Sequence, residues 1–345
     1  MKQLVKPKKL KPGDTVAAIT NSAGVASIFP HQYQFGKKQL QDAFGLKVVE
    51  TPNALRPHEE LYNNPQLRAD DLMWAFKNPE VKAIISIIGG EDCIRLFPLI
   101  DLDVIKNNPK VFMGYSDPTA IHFMCYTAGL SSIYGPTIMA GFGENAGLFP
   151  YSVDIIKRTL FSDKPIGLIN PSTEWTDELL DWADPNNSKI KRKRNPNNGP
   201  HVLQGKEAVQ GHLLGGCFEV LLMCLNTPIS PALNDWDGAI LFIETSEGNP
   251  PEDIFLYWLR NLAAQGIIQK INGIIVGRPK DAHGKMDLYE KALMTIARET
   301  GRLDLPIMTQ MDFGHTDPMF LFPYGAKAEI DPIHGTFKIL ENAVI

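Results

Sequence analysis

The chain has 345 residues, of which 44% are hydrophobic and 21% charged, and its formal net charge is −5. This composition is ordinary for a folded globular protein, and the length allows two domains. An acidic chain lacks the basic field that general nucleic-acid or membrane-surface binding requires, so we expect neither partner. No run approaches the ~18 uninterrupted apolar residues of a membrane span, and the basic N-terminus is followed by a short strand-like run rather than the longer apolar region of a signal peptide, so we expect neither. The four cysteines form no CxxC pair, which favours a reducing, cytoplasmic location.

The first half of the chain alternates short apolar runs with longer amphipathic segments. Strands are predicted at Val16–Ile19, Leu46–Val49, Ala83–Ile88 and Val111–Gly114, and helices at His31–Phe44, Pro65–Phe76 and Thr119–Tyr126. Continuous apolar strands separated by helices are typical of a parallel sheet that is covered on both faces. The sequence therefore predicts an open α/β domain over residues 1–165.

Residues 170–205 differ from both flanks, because they are rich in proline and asparagine and carry a basic run from Lys189 to Arg194. We interpret them as a long polar loop, and the basic run as either a solvated face or a contact for an anion. After this loop, apolar and amphipathic segments alternate again. Helices are predicted at Cys217–Leu225, Ile254–Ala264 and Leu288–Thr300, and strands at Ala239–Ile243, Gly273–Val276 and Ile307–Met311. Ala326–Ile330 and Thr336–Leu340 are predicted to form a terminal hairpin. This predicts a linker and active-site loop over residues 166–208 and a C-terminal domain over residues 209–345.

Three polar residues follow apolar strands at positions where an α/β sheet binds ligands. Ser116 comes after Val111–Gly114, Glu244 directly after Ala239–Ile243, and His315 shortly after the last strand before the hairpin. The carboxyl ends of parallel strands meet at one edge of a sheet. A nucleophilic serine needs a base, and that base needs an orienting carboxylate. The pattern is compatible with a Ser-Glu-His triad, with Glu247 as a local rival for the acid.

The sequence around Ser116 predicts a tight strand–turn–helix. A nucleophile in this position would lie at a helix N-terminus, where backbone N–H groups stabilise a developing oxyanion. The G-x-S-x-G motif of α/β-hydrolases is absent, and a helix-capping role explains the serine equally well. The Gly89-Gly90 pair similarly fits either an oxyanion donor or a simple turn.

Other motifs are weaker. Cys217 is a possible nucleophile, although a buried structural cysteine fits its glycine-rich surroundings better. The Gly141–Ala146 segment matches a dinucleotide fingerprint in letters, but Pro150 falls where its helix would run, so we reject it. The Asp281–His283 pair is too small a ligand set, and we predict neither a metal site nor a cofactor.

Seven sequence blocks occur in chain order at Leu10–Asp14, Ile88–Gly90, Gly114–Asp117, Gly211–Gly216, Ile240–Ser246, Gly273–Arg278 and Phe313–His315. Together they resemble the LD-carboxypeptidase and microcin C self-immunity (MccF-like) family of serine peptidases over nearly the whole chain. The resemblance implies a triad of Ser116, Glu244 and His315, with an oxyanion hole formed by the backbone of Gly90 and Asp117. It also implies a Rossmann- or flavodoxin-like N-terminal domain, a smaller C-terminal α/β domain with its own sheet, and a homodimer.

Within that family the chain resembles the microcin-immunity branch more closely, because of its Ile-Glu-Thr-Ser block and its long loop. This implies cleavage of the bond between an acidic aminoacyl or peptidyl group and a nucleotide moiety. Trp182 is the first candidate for stacking on the nucleobase and Trp175 the second, while a purely structural role stays open for both. The alternatives are a muropeptide LD-carboxypeptidase that releases terminal D-Ala, a Cys217 hydrolase, and a non-catalytic nucleotide-binding protein.

Overall fold

The structure is a computed structural model that describes residues 2–280 and 282–345, apart from the side chains of residues 282 and 283. Its strands are β1 Thr15–Ile19, β2 Lys47–Glu50, β3 Val81–Ser86, β4 Val111–Gly114, β5 Ile133–Tyr134, β6 Gly167–Ile169, β7 Glu174–Trp175, β8 Asn195–Pro196, β9 His201–Gln204, β10 Val209–Cys217, β11 Ala239–Glu244, β12 Gly273–Gly277, β13 Ile307–Met311, β14 Phe322–Pro323, β15 Lys327–Asp331 and β16 Thr336–Ile339. Its α-helices are α1 Pro30–Phe44, α2 His58–Asn63, α3 Pro65–Lys77, α4 Leu102–Asn107, α5 Thr119–Ala128, α6 Pro150–Leu160, α7 Phe218–Cys224, α8 Glu252–Ala264, α9 Ile267–Lys270 and α10 Ala282–Glu299. No helix among these described residues is both long and apolar enough to cross a membrane.

The first sheet has the strand order β14-β5-β4-β3-β1-β2. Strands β1 to β5 pair in parallel, and β14 pairs antiparallel with β5. Strand β4 is buried over its whole length, which is why its sequence is continuously apolar. The α/β fold predicted for the first half of the chain is confirmed, although its last strand, β14, comes from the far end of the sequence.

The second sheet has the order β6-β16-β15-β10-β11-β12-β13-β9, with four parallel strands in the middle and antiparallel strands on both sides. The predicted terminal hairpin is confirmed as β15 and β16. The predicted start of the next helix at Cys217 is wrong, because Cys217 is the last residue of β10 and pairs with Glu244 of β11. Strand β9 lies in the segment that the sequence predicts as loop, and forms one edge of this sheet.

Local sequence signals explain where helix α1 begins and ends. Pro30 occupies the first turn, where a missing N–H has no consequence, and Gly45 ends the helix in the left-handed conformation at φ 67°. The buried residues of the helix include Tyr33, Leu40 and Phe44. They belong to the buried apolar core of the protein, so the helix packs this face against the core.

The two sheets meet through helix α5, which follows the Ser116 turn. The backbone N–H of Cys217 donates to Thr119 Oγ1 at 3.1 Å, and a Cβ on Gly216 would lie 2.4 Å from the methyl carbon of Thr119. This close approach brings the carboxyl end of β10 against the N-terminus of α5. As a result, the strand ends of both sheets open onto the same cleft.

Candidate active site

Ser116 occupies a strained turn between β4 and α5. Its φ of 67° is unusual for a residue with a side chain, and such strain concentrates at functional sites. The carbonyl of Ser116 accepts hydrogen bonds from Thr119 N at 2.9 Å and Thr119 Oγ1 at 2.7 Å. The N-cap residue of α5 is Pro118, and no side chain caps this helix. The Ser116 hydroxyl therefore has no capping role and faces the cleft.

Glu244 and His315 form a direct pair. Glu244 is the last residue of β11 and is 1% exposed, and its Oε2 lies 2.6 Å from His315 Nδ1. The turn before His315 passes so close to the acid that a Cβ on Gly314 would lie 2.7 Å from the Cβ of Glu244. Gly314 also has a φ of 96°, so both space and backbone conformation require glycine there. The structure thus brings together two of the three predicted triad residues through one hydrogen bond.

The second ring nitrogen of His315 faces another carboxylate. Nε2 lies 3.1 Å from Glu247 Oε2, and within the described residues no hydrogen bond joins it to Ser116 Oγ. The Glu247 side chain is 63% exposed, whereas that of His315 is 9% exposed. Burial alone would lower the pKa of His315, but the Glu244 charge and hydrogen bond, together with the charges of Glu247 and Glu219, raise it to about 9. In this state the imidazole is held by carboxylates on both sides.

We predict a pH dependence from this arrangement. A general base must be neutral, and a pKa of about 9 leaves only about one His315 ring in a hundred neutral at pH 7. Raising the pH removes the proton, so kcat/KM of the free enzyme should climb between pH 7 and pH 9 and then level off. A pH–rate profile measures this, and a plateau already reached at pH 7 would contradict it.

Gly90 and Asp117, whose backbone N–H groups are the predicted oxyanion donors, lie in the turns after β3 and β4, respectively. Neither amide donates a hydrogen bond to another group in the described chain. The glycine turn lies directly beside Ser116, since a Cβ on Gly89 would be 3.3 Å from Ser116 Oγ and 3.6 Å from Asp117 N. Gly90 has a φ of 153°, and a Cβ there would lie 2.2 Å from Ser22 Oγ. The two predicted donors are therefore neighbours of Ser116, with free N–H groups.

A buried polar network that the sequence did not reveal fixes this glycine turn. Arg68 is 0% exposed and binds both carboxylate oxygens of Asp92, at 2.6 and 2.8 Å. The N–H groups of Asp92 and Cys93 each donate to Asp117 Oδ2 at 2.8 Å. The side chain of Asp117 thus ties the residues after β3 to the Ser116 turn after β4. Such pairings join residues distant in sequence, and no local motif announces them.

The strand ends surround a cavity of about 830 Å³ whose lining includes Ser116, His315 and Trp182. The Trp182 ring packs edge-on against Phe29 at 6.1 Å and belongs to the loop over the cavity. Trp175 is 8% exposed, lies under the Arg278 guanidinium at 4.7 Å, and is not among the described residues that line the cavity. The structure therefore places the first tryptophan candidate in the pocket and the second in the supporting wall.

Cys217 lines the same cavity but lacks the properties of a nucleophile. It is 1% exposed, and its thiol donates to Glu219 Oε2 at 3.2 Å. Burial, followed by the charges of Glu244 and Glu219, raises the pKa of this thiol well above its ordinary value. Since the thiolate is the reactive form of cysteine, this environment argues against a Cys217 hydrolase.

Arg192 anchors the loop that covers the cavity. Its guanidinium binds Asp317 Oδ2 at 2.7 Å, forms an ion pair with Glu144, and donates to the Glu178 carbonyl at 2.9 Å. One residue of the predicted basic run therefore holds the loop in place from inside the protein, because the Arg192 side chain is only 10% exposed. Lys280 is a further cation that lines the cavity.

The described residues contain no group of three or more His, Cys, Asp or Glu side chains placed to hold a metal ion. Of the weak pair that the sequence offered, Asp281 and the side chain of His283 lie outside the described residues.

Comparison with known proteins places this site in a family. Residues 16–135 match the LD-carboxypeptidase N-terminal domain, and residues 210–330 match the LD-carboxypeptidase C-terminal domain. The chain is 29% identical over 337 residues to the microcin C7 self-immunity protein MccF of Escherichia coli, covering 96% of this chain and 94% of that protein. It is also 27% identical over 342 residues to a Bacillus subtilis protein named as a probable murein peptide carboxypeptidase, covering 97% and 94%.

Solved structures agree with these matches. An MccF-like protein from Streptococcus pneumoniae in complex with AMP has a TM-score of 0.86 and 30% identity, covering 94% of this chain and 98% of that chain. MccF in complex with aspartyl sulfamoyl adenosine has a TM-score of 0.84 and 26% identity, covering 99% and 100%. Both family domains, the fold and the near-complete overlap lead to one conclusion: the chain belongs to the LD-carboxypeptidase family and is a serine peptidase.

Proposed function

We propose that this enzyme hydrolyses the bond between an acidic aminoacyl or peptidyl group and a nucleotide moiety, using Ser116, Glu244 and His315 as its triad. The observation that carries the proposal is the Glu244–His315 hydrogen bond of 2.6 Å at a cavity that also exposes the strained Ser116 turn. A buried carboxylate on Nδ1 fixes the tautomer in which Nε2 accepts a proton. Glu247 occupies that nitrogen in the resting state and must move away when substrate enters.

The proposed reaction is acyl transfer to water. His315 takes the proton of Ser116 Oγ as the oxygen attacks the carbonyl carbon, and the negative oxygen is stabilised by the amides of Gly90 and Asp117. The protonated imidazole then donates to the leaving group, which breaks the scissile bond and leaves an acyl-enzyme. Water attacks this intermediate, His315 accepts its proton, and the acyl group is released as Ser116 regains its own.

Four observations support an aminoacyl nucleotide as the substrate. The cavity of about 830 Å³ lies within the size range of sites for small ligands. Trp182 presents an aromatic ring from the covering loop, and Lys280 offers a positive charge to an acidic group or a phosphate. MccF and the S. pneumoniae protein are solved with aspartyl sulfamoyl adenosine and with AMP, respectively. A cytoplasmic location stays a prediction from the cysteine pattern, and a homodimer stays a prediction from the family resemblance.

A second candidate is an LD-carboxypeptidase that releases terminal D-Ala from muropeptides. The observation in its favour is the match to a B. subtilis protein named for murein peptides, which has nearly the same length coverage as MccF.

Competing substrates distinguish the two functions. Purified enzyme is given aspartyl and glutamyl sulfamoyl adenosine in one assay and an L-to-D-linked muropeptide tetrapeptide in another, and kcat/KM is compared. We expect turnover of the nucleoside conjugates to dominate. Preferential release of D-Ala, with the conjugates left intact, would overturn the proposal in favour of the second candidate.

A separate prediction concerns the contribution of the two tryptophans to nucleotide affinity. Removal of one stacking ring costs ~1–3 kcal/mol, so Trp182→Ala should weaken AMP binding by about 5- to 150-fold. Trp175→Ala is the matched control, because its ring lies under Arg278 and outside the described cavity lining. It should reduce thermal stability instead. Calorimetric titration with AMP measures the first effect, and equal loss of affinity in both variants would contradict it.

A further inference from the structure

Tyr134 lies at the centre of a hydrogen-bond chain that the proposed mechanism does not yet use. It ends β5, directly beside the nucleophile strand β4, and is 0% exposed. Its hydroxyl oxygen accepts a hydrogen bond from the backbone N–H of Ser116 at 3.0 Å. The same hydroxyl donates to Glu244 Oε1, while Glu244 Oε2 pairs with His315 Nδ1. One phenol thus connects the backbone of the nucleophile to the acid of the triad.

The direction of these hydrogen bonds is fixed by chemistry. An amide N–H can only donate, so the phenol oxygen is the acceptor toward Ser116, and its single proton points to the carboxylate. Burial and the Glu244 charge raise the pKa of Tyr134 well above its ordinary value, which keeps that proton on the phenol. The Ser116 amide is therefore committed to Tyr134, and the amides of Gly90 and Asp117 are left for the oxyanion.

Aromatic packing holds the phenol in place from both sheets. Phe242 of β11 contacts the ring from the second sheet at 5.5 Å, and His122 of α5 contacts it from the first at 5.6 Å. Burial lowers the pKa of His122 to about 3, so this neighbour adds no charge. Other titratable groups face this hydrogen-bond chain: Cys217 and Tyr115 around Tyr134, Cys217 and Tyr324 around Glu244, and Glu247, Glu219 and Tyr115 around His315.

We infer that Tyr134 is a positioning residue that holds the Ser116 turn and tunes the proton affinity of the Glu244–His315 pair. This inference rests on the proposed triad. Without the hydroxyl, the Ser116 N–H loses its partner inside the protein, and the strained turn loses the bond that fixes it. The carboxylate also loses a donor, becomes more basic and holds the His315 proton more tightly. The acid side of the pH profile should then move to higher pH.

The test compares Tyr134→Phe with Tyr33→Phe. Tyr33 is the matched control because it is also buried and donates to a glutamate, Glu50, at 2.9 Å, outside the cavity. Tyr134→Phe should lower kcat by about tenfold or more with little change in KM, since Tyr134 is not among the described lining residues. The acid limb of the pH–rate profile of this variant should move to higher pH by about half a unit. Equal kcat and equal pH profiles for the two variants would overturn the inference.

Two further measurements keep this test separate from the choice of substrate and from folding. Labelling of Ser116 by a fluorophosphonate reports the reactivity of the triad without any nucleotide conjugate. Absence of labelling in the wild-type protein would refute the proposed function, whereas normal labelling with identical Tyr134→Phe and Tyr33→Phe rates would refute only the role of Tyr134. If Tyr134→Phe does not fold, difluorotyrosine at position 134 keeps the shape and donates more strongly. It should move the acid limb to lower pH, and an unmoved limb would overturn the inference.

Discussion

Replacing Ser116 by alanine is expected to lower kcat by about 10³- to 10⁶-fold while leaving the fold intact. The change removes only the attacking oxygen, because the hydrogen bonds that shape the turn come from the Ser116 backbone, through Thr119 and Tyr134. Steady-state and single-turnover kinetics on an aminoacyl sulfamoyl nucleoside measure the loss.

Ser162→Ala is a suitable control, since this serine lies after α6, outside the described cavity lining. Both variants should keep the wild-type Tm, and only Ser116→Ala should lose fluorophosphonate labelling. Near-normal turnover in Ser116→Ala would exclude the triad. A wild-type protein that binds AMP but is never labelled would instead be a nucleotide-binding protein without catalytic activity.

The second large effect is expected for Glu244→Gln, and it distinguishes the roles of the two carboxylates that flank His315. Glu244→Gln keeps the shape but places a neutral amide on Nδ1, which favours the wrong tautomer and no longer stabilises the imidazolium. We expect kcat to fall by about 10²- to 10⁴-fold and the pKa of His315 to drop from about 9 toward its ordinary value. NMR titration of the imidazole reports the second change independently of turnover.

Glu247→Gln is the matched comparison, because it removes the carboxylate on the other nitrogen, Nε2. Loss of this charge also lowers the pKa of His315, but it leaves the Glu244 hydrogen bond in place. The variant should therefore stay active, with its acid limb moved to lower pH and faster turnover near pH 7. If Glu247→Gln proves as inactive as Glu244→Gln, Glu247 has a catalytic role that the proposed triad lacks.

Sequence patterns predicted the elements whose burial is uniform. The bounds of β4 agree with the predicted strand, because Val111–Gly114 is a short, uniformly buried apolar run. The bounds of β13 also agree, although this strand includes the polar residues Thr309 and Gln310. The hydrophobic pattern did not predict the strand that is rich in glycine. Residues 209–217 form β10, although Gly211, Gly215 and Gly216 lower the apparent strand propensity of the segment. These glycines allow other segments of the same chain to approach β10 closely, and only the folded structure reveals these contacts.

For the candidate site, sequence and resemblance predicted a set of residues and one of their interactions, but not the others. Glu244 and His315 were predicted as partners, and they form a hydrogen bond. The contact of Glu247 with His315 and the anchoring of the loop by Arg192 could not be predicted, since each depends on where a loop lies after folding. The same holds for Tyr134, whose role depends on a strand of only two residues.

Strand β14 has a consequence for how the enzyme is made on the ribosome. Phe322 pairs with Tyr134, so the edge of the first sheet beside β4 and the Ser116 turn is covered by residues that come much later in the chain. An emerging chain folds from its N-terminus, and an uncovered strand edge can pair with other chains. The first sheet therefore keeps this edge open until Phe322 and Pro323 have been made, long after β1 to β5. A nascent or truncated chain would carry Ser116 without being an active hydrolase.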